Sequence, residues 1–216
     1  MTDKKRKVIG EYDPTTDALL EAKTYPAHII ADDIVEDRDT RIGLANIYNL
    51  DYVLAKEISE FQQPFYERGS DGNFRMDNDG NKIIVKDENG ADIMLSCAFA
   101  VGRKLRFHSI FCFTEEKGMS ANGKYSDLIE ISGIEVKLIE VQFGIKVKQI
   151  VELEESDLLG RPVLIRIDYK ATPTKDTKEL PKEQQEFRYW PQVMEVFAWG
   201  SGKPLSSDEL EEPLPF

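Results

Sequence analysis

A chain of 216 residues suits one domain with appendages, and its 41% hydrophobic content is too high for a disordered protein. No apolar run approaches the roughly 18 residues of a membrane span, and two cysteines do not make a disulfide framework. Twenty-eight basic against 40 acidic residues leave a formal charge of -12, which taken alone argues against a polyanionic partner.

The placement of charge says more than its sum. The opening, MTDKKRKVIGEYD, is basic and has no apolar h-region, so a secretory signal is not expected. Its KKRKV resembles a nuclear-localisation string only weakly, and residues 1–20 read as a solvated basic arm. Cys97 and Cys112 read as buried thiols of a cytoplasmic protein.

From Thr24 onward TYPAHIIADDIVED has the β-rich look of a strand, and NIYNLDYVLA follows with Tyr48, Leu50, Tyr52 and Leu54 on one face. ISEFQQPFYERG, interrupted by Pro64, reads as a short helix or a loop. Two turn clusters, DNDGN and DENG, bracket KIIVK and predict a series of hairpins. The next strand, VGRKLRFHSIFCFT, puts Leu105, Phe107, Ser109, Phe111 and Phe113 on one face and Lys104, Arg106, His108 and Cys112 on the other. Helical spacing with Ser126 as cap predicts a helix over roughly 127–143, although alternation from Ile134 leaves 126–150 open between helix and strand. EESDLLG predicts a short second helix ended by Gly160. RPVLIRIDYKA is a strand with Val163, Ile165, Ile167 and Tyr169 facing one way, and FRYWPQVMEVFAWG is the last strand. The fold class expected is mainly β with helical insertions, an oligonucleotide-binding (OB) type barrel over residues 21–200, then a disordered acidic tail over 201–216.

No G-x-S-x-G, P-loop or H-E-x-x-H occurs, so no catalytic residue, cofactor or metal is expected and the chain reads as a non-enzyme. Asp77, Asp79, Asn81 and Glu88 fall at calcium-loop positions, but Lys82 stands where the sharp turn needs glycine, and turn formation explains the same acids. His28, Cys97, His108 and Cys112 lack any usual zinc spacing.

Single-stranded nucleic acid is held by cations along its backbone and by rings under its bases. Arg103, Lys104 and Arg106 cluster in GRKLRFH, Arg166 and Lys170 point outward from the following strand, and Arg188 lies beside Tyr189 and Trp190. One of Tyr189 and Trp190 should be exposed, because neighbours in a strand face opposite ways. Phe107 reads as core; Tyr48, Tyr52, Phe65 and Tyr66 are lesser stacking candidates.

The chain closes on DELEEPLPF. Asp208, Glu209, Glu211 and Glu212 repel nucleic acid, whereas Pro215 and Phe216 offer a hydrophobic anchor with an α-carboxylate that a basic-rimmed pocket can capture. This ending resembles that of single-stranded DNA-binding proteins, whose bacterial members close an acidic stretch on Ile-Pro-Phe. The step Leu158, Leu159, Gly160, Arg161, Pro162, Val163 into a strand is similar to one in phage-encoded members. Only the tail residues carry over position by position. The resemblance implies binding of single-stranded DNA in phage replication, recombination or repair. It further implies action in the bacterial cytoplasm, a tail that recruits replication or recombination proteins, and a possible homo-oligomer. The alternative is an adaptor or structural component of a phage that binds protein and not DNA.

Overall fold

The structure is a computed structural model that describes residues 19–69, 74–140, 142–175, 177–181, 184–185 and 187–211. It is mainly β. Strands β1 (Thr24–Asp39), β2 (Leu44–Leu54), β5 (Lys104–Phe113), β8 (Pro162–Pro173) and β9 (Phe187–Ala198) form one antiparallel sheet in the order β5-β2-β1-β8-β9. Two short pairs form sheets of their own: β3 (Gln62–Pro64) with β4 (Met94–Ser96), and β6 (Leu138–Glu140) with β7 (Lys146–Lys148). Among the described residues no helix is long and apolar enough to cross a membrane.

The described residues separate into two compact units: those of 59–99 group with Leu19 and Leu20, and the others form the larger unit. In the larger unit, period-two alternation does what it predicts. Tyr48, Leu50, Tyr52 and Leu54 are all buried, as are Val163, Ile165 and Ile167, while Arg166, Asp168 and Lys170 are exposed. Helix α1 (Gly123–Ser132) covers this core with Tyr125, Leu128 and Ile129. Its Tyr125 hydroxyl donates to Val151 O (3.0 Å), accepts from Leu153 N (3.0 Å) and lies 3.1 Å from Tyr48 Oη, which donates to Leu153 O (3.1 Å). Two phenols thus satisfy backbone groups of a segment that has no strand partner, and burial raises both of their pKa values.

Helix α1 is shorter than the predicted 127–143. Gly133 takes the left-handed conformation (φ 75°) that ends it, and the chain then turns into β6. Asn122 precedes the helix and ties it to β5, accepting from Phe113 N at 2.7 Å and donating to Phe113 O at 2.9 Å. The predicted helix at EESDLLG is a single 3-10 turn, Glu155–Asp157.

Strand β5 differs from its predicted facing. Tyr52 pairs with Leu105 but Leu50 pairs with His108, so β5 spends one extra residue in a bulge. The alternation inverts beyond it: His108, Ile110 and Cys112 point into the core and Phe111 is exposed. His108, placed by simple alternation on the face of Lys104 and Arg106, is buried and hydrogen-bonded to Tyr52 Oη at 2.6 Å. Cys112 is buried as expected, which pushes its thiol up to about 11.

The sheet is not closed into a barrel: among the described residues no ladder joins β5 to β9. The two strands nevertheless approach within 8 Å at their Cα atoms. Helix α1 lies at this seam, where Lys124 Nζ donates to Met194 O at 3.1 Å.

Residues 201–211 are not a free tail. His28 Nε2 hydrogen-bonds Lys203 O (3.0 Å), Leu205 N donates to Gly160 O (2.9 Å), and Gly160 (φ +74°) is so close that a Cβ would meet Leu205 O at 3.0 Å. Ser207–Glu211 then form a short helix, α2. The expectation of disorder from 201 is therefore corrected up to 211; residues 212–216 lie outside the described residues.

The smaller unit confirms the hairpin series. Asp77 Oδ1 accepts from Asp79 N (2.9 Å) and Asn81 N (2.8 Å), and Asp87 Oδ1 repeats this with Asn89 N (2.9 Å) and Ala91 N (2.8 Å). Gly80 and Gly90 both adopt φ +83° to close the turns. Three segments then bond in rings: Phe65 N to Ile93 O, Ile93 N to Val85 O, and Val85 N to Phe65 O. Glu67, Ile83 and Arg75 form a second such ring.

Candidate nucleic-acid interface

Strand directions decide which predicted residues meet. Each ladder in the large sheet is antiparallel, so β5 and β9 run the same way along its two flanks. The start of β5, with Arg103, Lys104 and Arg106, therefore lies toward the same end as the start of β9, with Arg188, Tyr189 and Trp190. Strand β8 ends there too. Beyond Arg166 it has no ladder partner on β1, and β8–β9 continues as a two-stranded ribbon.

On that ribbon Lys170 pairs directly with Trp190. Both are exposed, Trp190 at 55%. A ring and an ammonium side by side on an open ribbon is the pairing that a base and its phosphate require. Arg188 pairs with Thr172 and Tyr189 with Ala171 in the backbone register; the side chains of Arg188, Tyr189 and Phe107 lie outside the described residues.

Other predicted cations stand beside acids. Arg166 Nε lies 3.0 Å from Glu195 and Arg106 Nε 3.8 Å from Asp51, both pairs partly exposed. Such pairs are weak in water and open readily to a phosphate. Lys104 is exposed; Arg103 is half-buried and its carbonyl accepts from Leu54 N at 3.0 Å. Tyr48 and Tyr52 are core, not stacking groups. Tyr66 belongs to the smaller unit, where Lys82 Nζ sits 5.0 Å from its ring centroid.

Under the seam of β5, β9 and α1 lies a cavity of about 160 Å³, reached by His108, Lys124, Asp127 and Glu195. Burial, and then the Lys124 charge, lower the His108 pKa to about 4, so its ring is neutral at pH 7.

The tail residues divide. Glu209 Oε2 accepts from Ser206 N (2.8 Å) and Ser206 Oγ (2.9 Å), a cap that lowers its pKa and occupies the carboxylate locally. Asp208 is exposed. Glu212, Pro215 and Phe216, and the side chain of Glu211, lie outside the described residues.

Two exposed aromatics do not stand out in the sequence. Phe111 is hidden by the bulge, which nothing in its neighbours announces. Phe143 falls within the predicted helix; the signal that places it in a turn is Phe-Gly between LIEV and IKVK, two alternating stretches. Among the described residues no three His, Cys, Asp or Glu side chains converge as a metal site. Comparison with protein-family models, curated proteins and solved structures finds no match to this chain.

Proposed function

We propose that this chain is a single-stranded DNA-binding protein, acting without catalysis in phage DNA replication, recombination or repair in the host cytoplasm. Numbered in chain order, its five long strands lie 3-2-1-4-5, with a helix between the third and fourth. Five strands left open between the outer two suit a partly open oligonucleotide-binding barrel, a fold that binds on the face of its strands 2 and 3 and on the loops joining strands 1 and 2 and strands 4 and 5. The observation that carries the reading is the exposed Lys170–Trp190 pair on that connecting ribbon, with Lys104 and Arg106 toward the same end. Trp190 stacks on a base, while Lys170, Lys104, Arg106 and Arg188 follow the phosphates. Binding is then sequence-tolerant and salt-sensitive. The acidic end from Asp208 onward presents Phe216 to replication or recombination proteins and, with none present, competes with DNA for the cations.

The test is anisotropy of a labelled oligo-dT at two salt concentrations, beside a duplex control. The expected result is tight, salt-sensitive binding to the single strand and weak binding to the duplex. Trp190→Ala should weaken the single-strand affinity by about tenfold, the scale of one stacked base. Removing residues 207–216 should tighten it at low salt. No binding by either the full chain or the shortened one rejects the DNA reading in favour of a protein adaptor.

A further inference from the structure

The hairpin β6–β7 leaves α1 and returns before β8, outside the large sheet. Leu138, Ile139, Ile145 and Val147 on it are all exposed, and Phe143 at its tip is 96% exposed. The backbone of Phe143 is left-handed (φ 65°, ψ 26°) and Gly144 follows at φ 73°. Two successive left-handed residues have the backbone of a type I′ turn, whose first central position favours Asn, Asp or Gly. A phenylalanine there is unfavourable on two independent counts: it strains the backbone, and it holds a large apolar ring in water. Neither serves the fold, since asparagine would make the same turn.

The surroundings say what the ring meets. Residues 142–150 carry Lys146 and Lys148 and no carboxylate, in a chain of net charge -12. Lys148 forms an ion pair with Glu130 of α1, which fastens the base of the hairpin to the larger unit. Lys146 lies nearer the tip, exposed, opposite Glu140 in the ladder. An open aromatic ring with an exposed lysine three residues on matches an unpaired base and its phosphate.

We propose that the β6–β7 hairpin is a second single-stranded DNA contact, in which Phe143 stacks on an unpaired base and Lys146 meets the neighbouring phosphate. This rests on the DNA-binding reading above. It adds a contact on the connection between α1 and β8, separate from the β8–β9 ribbon.

The test compares the full-length parent with Phe143→Asn and Phe143→Trp. Asparagine should leave the thermal midpoint unchanged or raised, because it suits the turn, yet weaken oligo-dT binding by about tenfold. Tryptophan should keep the affinity and add fluorescence that oligo-dT quenches beyond the change seen in the parent. A parent that binds oligo-dT and an Asn variant that binds as tightly overturn the hairpin contact and leave the DNA-binding reading standing. A parent that fails to bind overturns both. Loss of self-association by the Asn variant, with DNA affinity kept, assigns the hairpin to a second copy of the chain and also overturns the proposal.

Discussion

The two units of this molecule reach order by different physics. In the larger one Tyr48, Tyr52, Tyr125 and Leu128 are wholly buried, and every phenol among them has a hydrogen-bond partner. Among the described residues from Pro64 to Ser96, in the smaller one, none is buried. Its shape comes from aspartate-capped turns, closed rings of backbone hydrogen bonds, and Lys82 set over Tyr66 and Phe74 at 5.0 and 4.3 Å. Removing apolar area from water contributes about 25 cal/mol per Å². A hydrogen bond exchanged with water nets only about 1 kcal/mol. Local bonding can therefore specify a shape well enough for pairing while leaving the stability of the molecule to the apolar sheet.

The largest break in this comparison should come from truncating both cores alike. Leu128→Ala is expected to cost about 3 kcal/mol in denaturant unfolding, as for a fully buried leucine, and Ile84→Ala less than about 1 kcal/mol. Equal losses would mean that the smaller unit hides a core after all.

Acid should separate the units next. The fold lowers the His108 pKa from 6.5 to about 4, so the unfolded chain takes up this proton first as the pH falls. The stabilisation held by the neutral ring is complete above about pH 6.5 and lost progressively toward pH 4, amounting to roughly 3 kcal/mol at most. His108→Gln should flatten the stability profile across that window. A profile that the substitution leaves unchanged would assign the acid sensitivity to other groups.

The smallest effect belongs to the turns. Asp77→Ala should speed hydrogen exchange at the Asp79 and Asn81 amides, which it caps, and leave the unfolding midpoint of the whole chain in place. A shifted global midpoint would show that the smaller unit does not open independently.

Much of the candidate interface is legible in the sequence, and the reason differs by residue. Lys170 and Trp190 stand out because a cation on the outward face of a strand and an aromatic in the next are local features. Their direct pairing needs the register of β8 against β9. Arg106 and Arg166 are visible as cations, but their neighbours Asp51 and Glu195 come from other strands. Phe143 is obscured because helical spacing and strand alternation both fit the stretch after Ile134, and the position of Gly133 decides between them.

By itself the sequence determined the β-rich character, the inward faces of β2 and β8, and the turns at Asp77 and Asp87. Each of these follows from residues within a few positions of one another, through side-chain alternation or a carboxylate reaching amides two and four residues on. Only the tertiary structure decided that β5 bulges and buries His108, that α1 stops at Ser132, that residues 201–211 fold back on Gly160, and that the sheet stays open between β5 and β9. Those outcomes depend on partners remote in the chain, such as Tyr52, 56 residues from His108. The free energy of such a contact belongs to the pair, and no stretch of sequence holding one partner contains it.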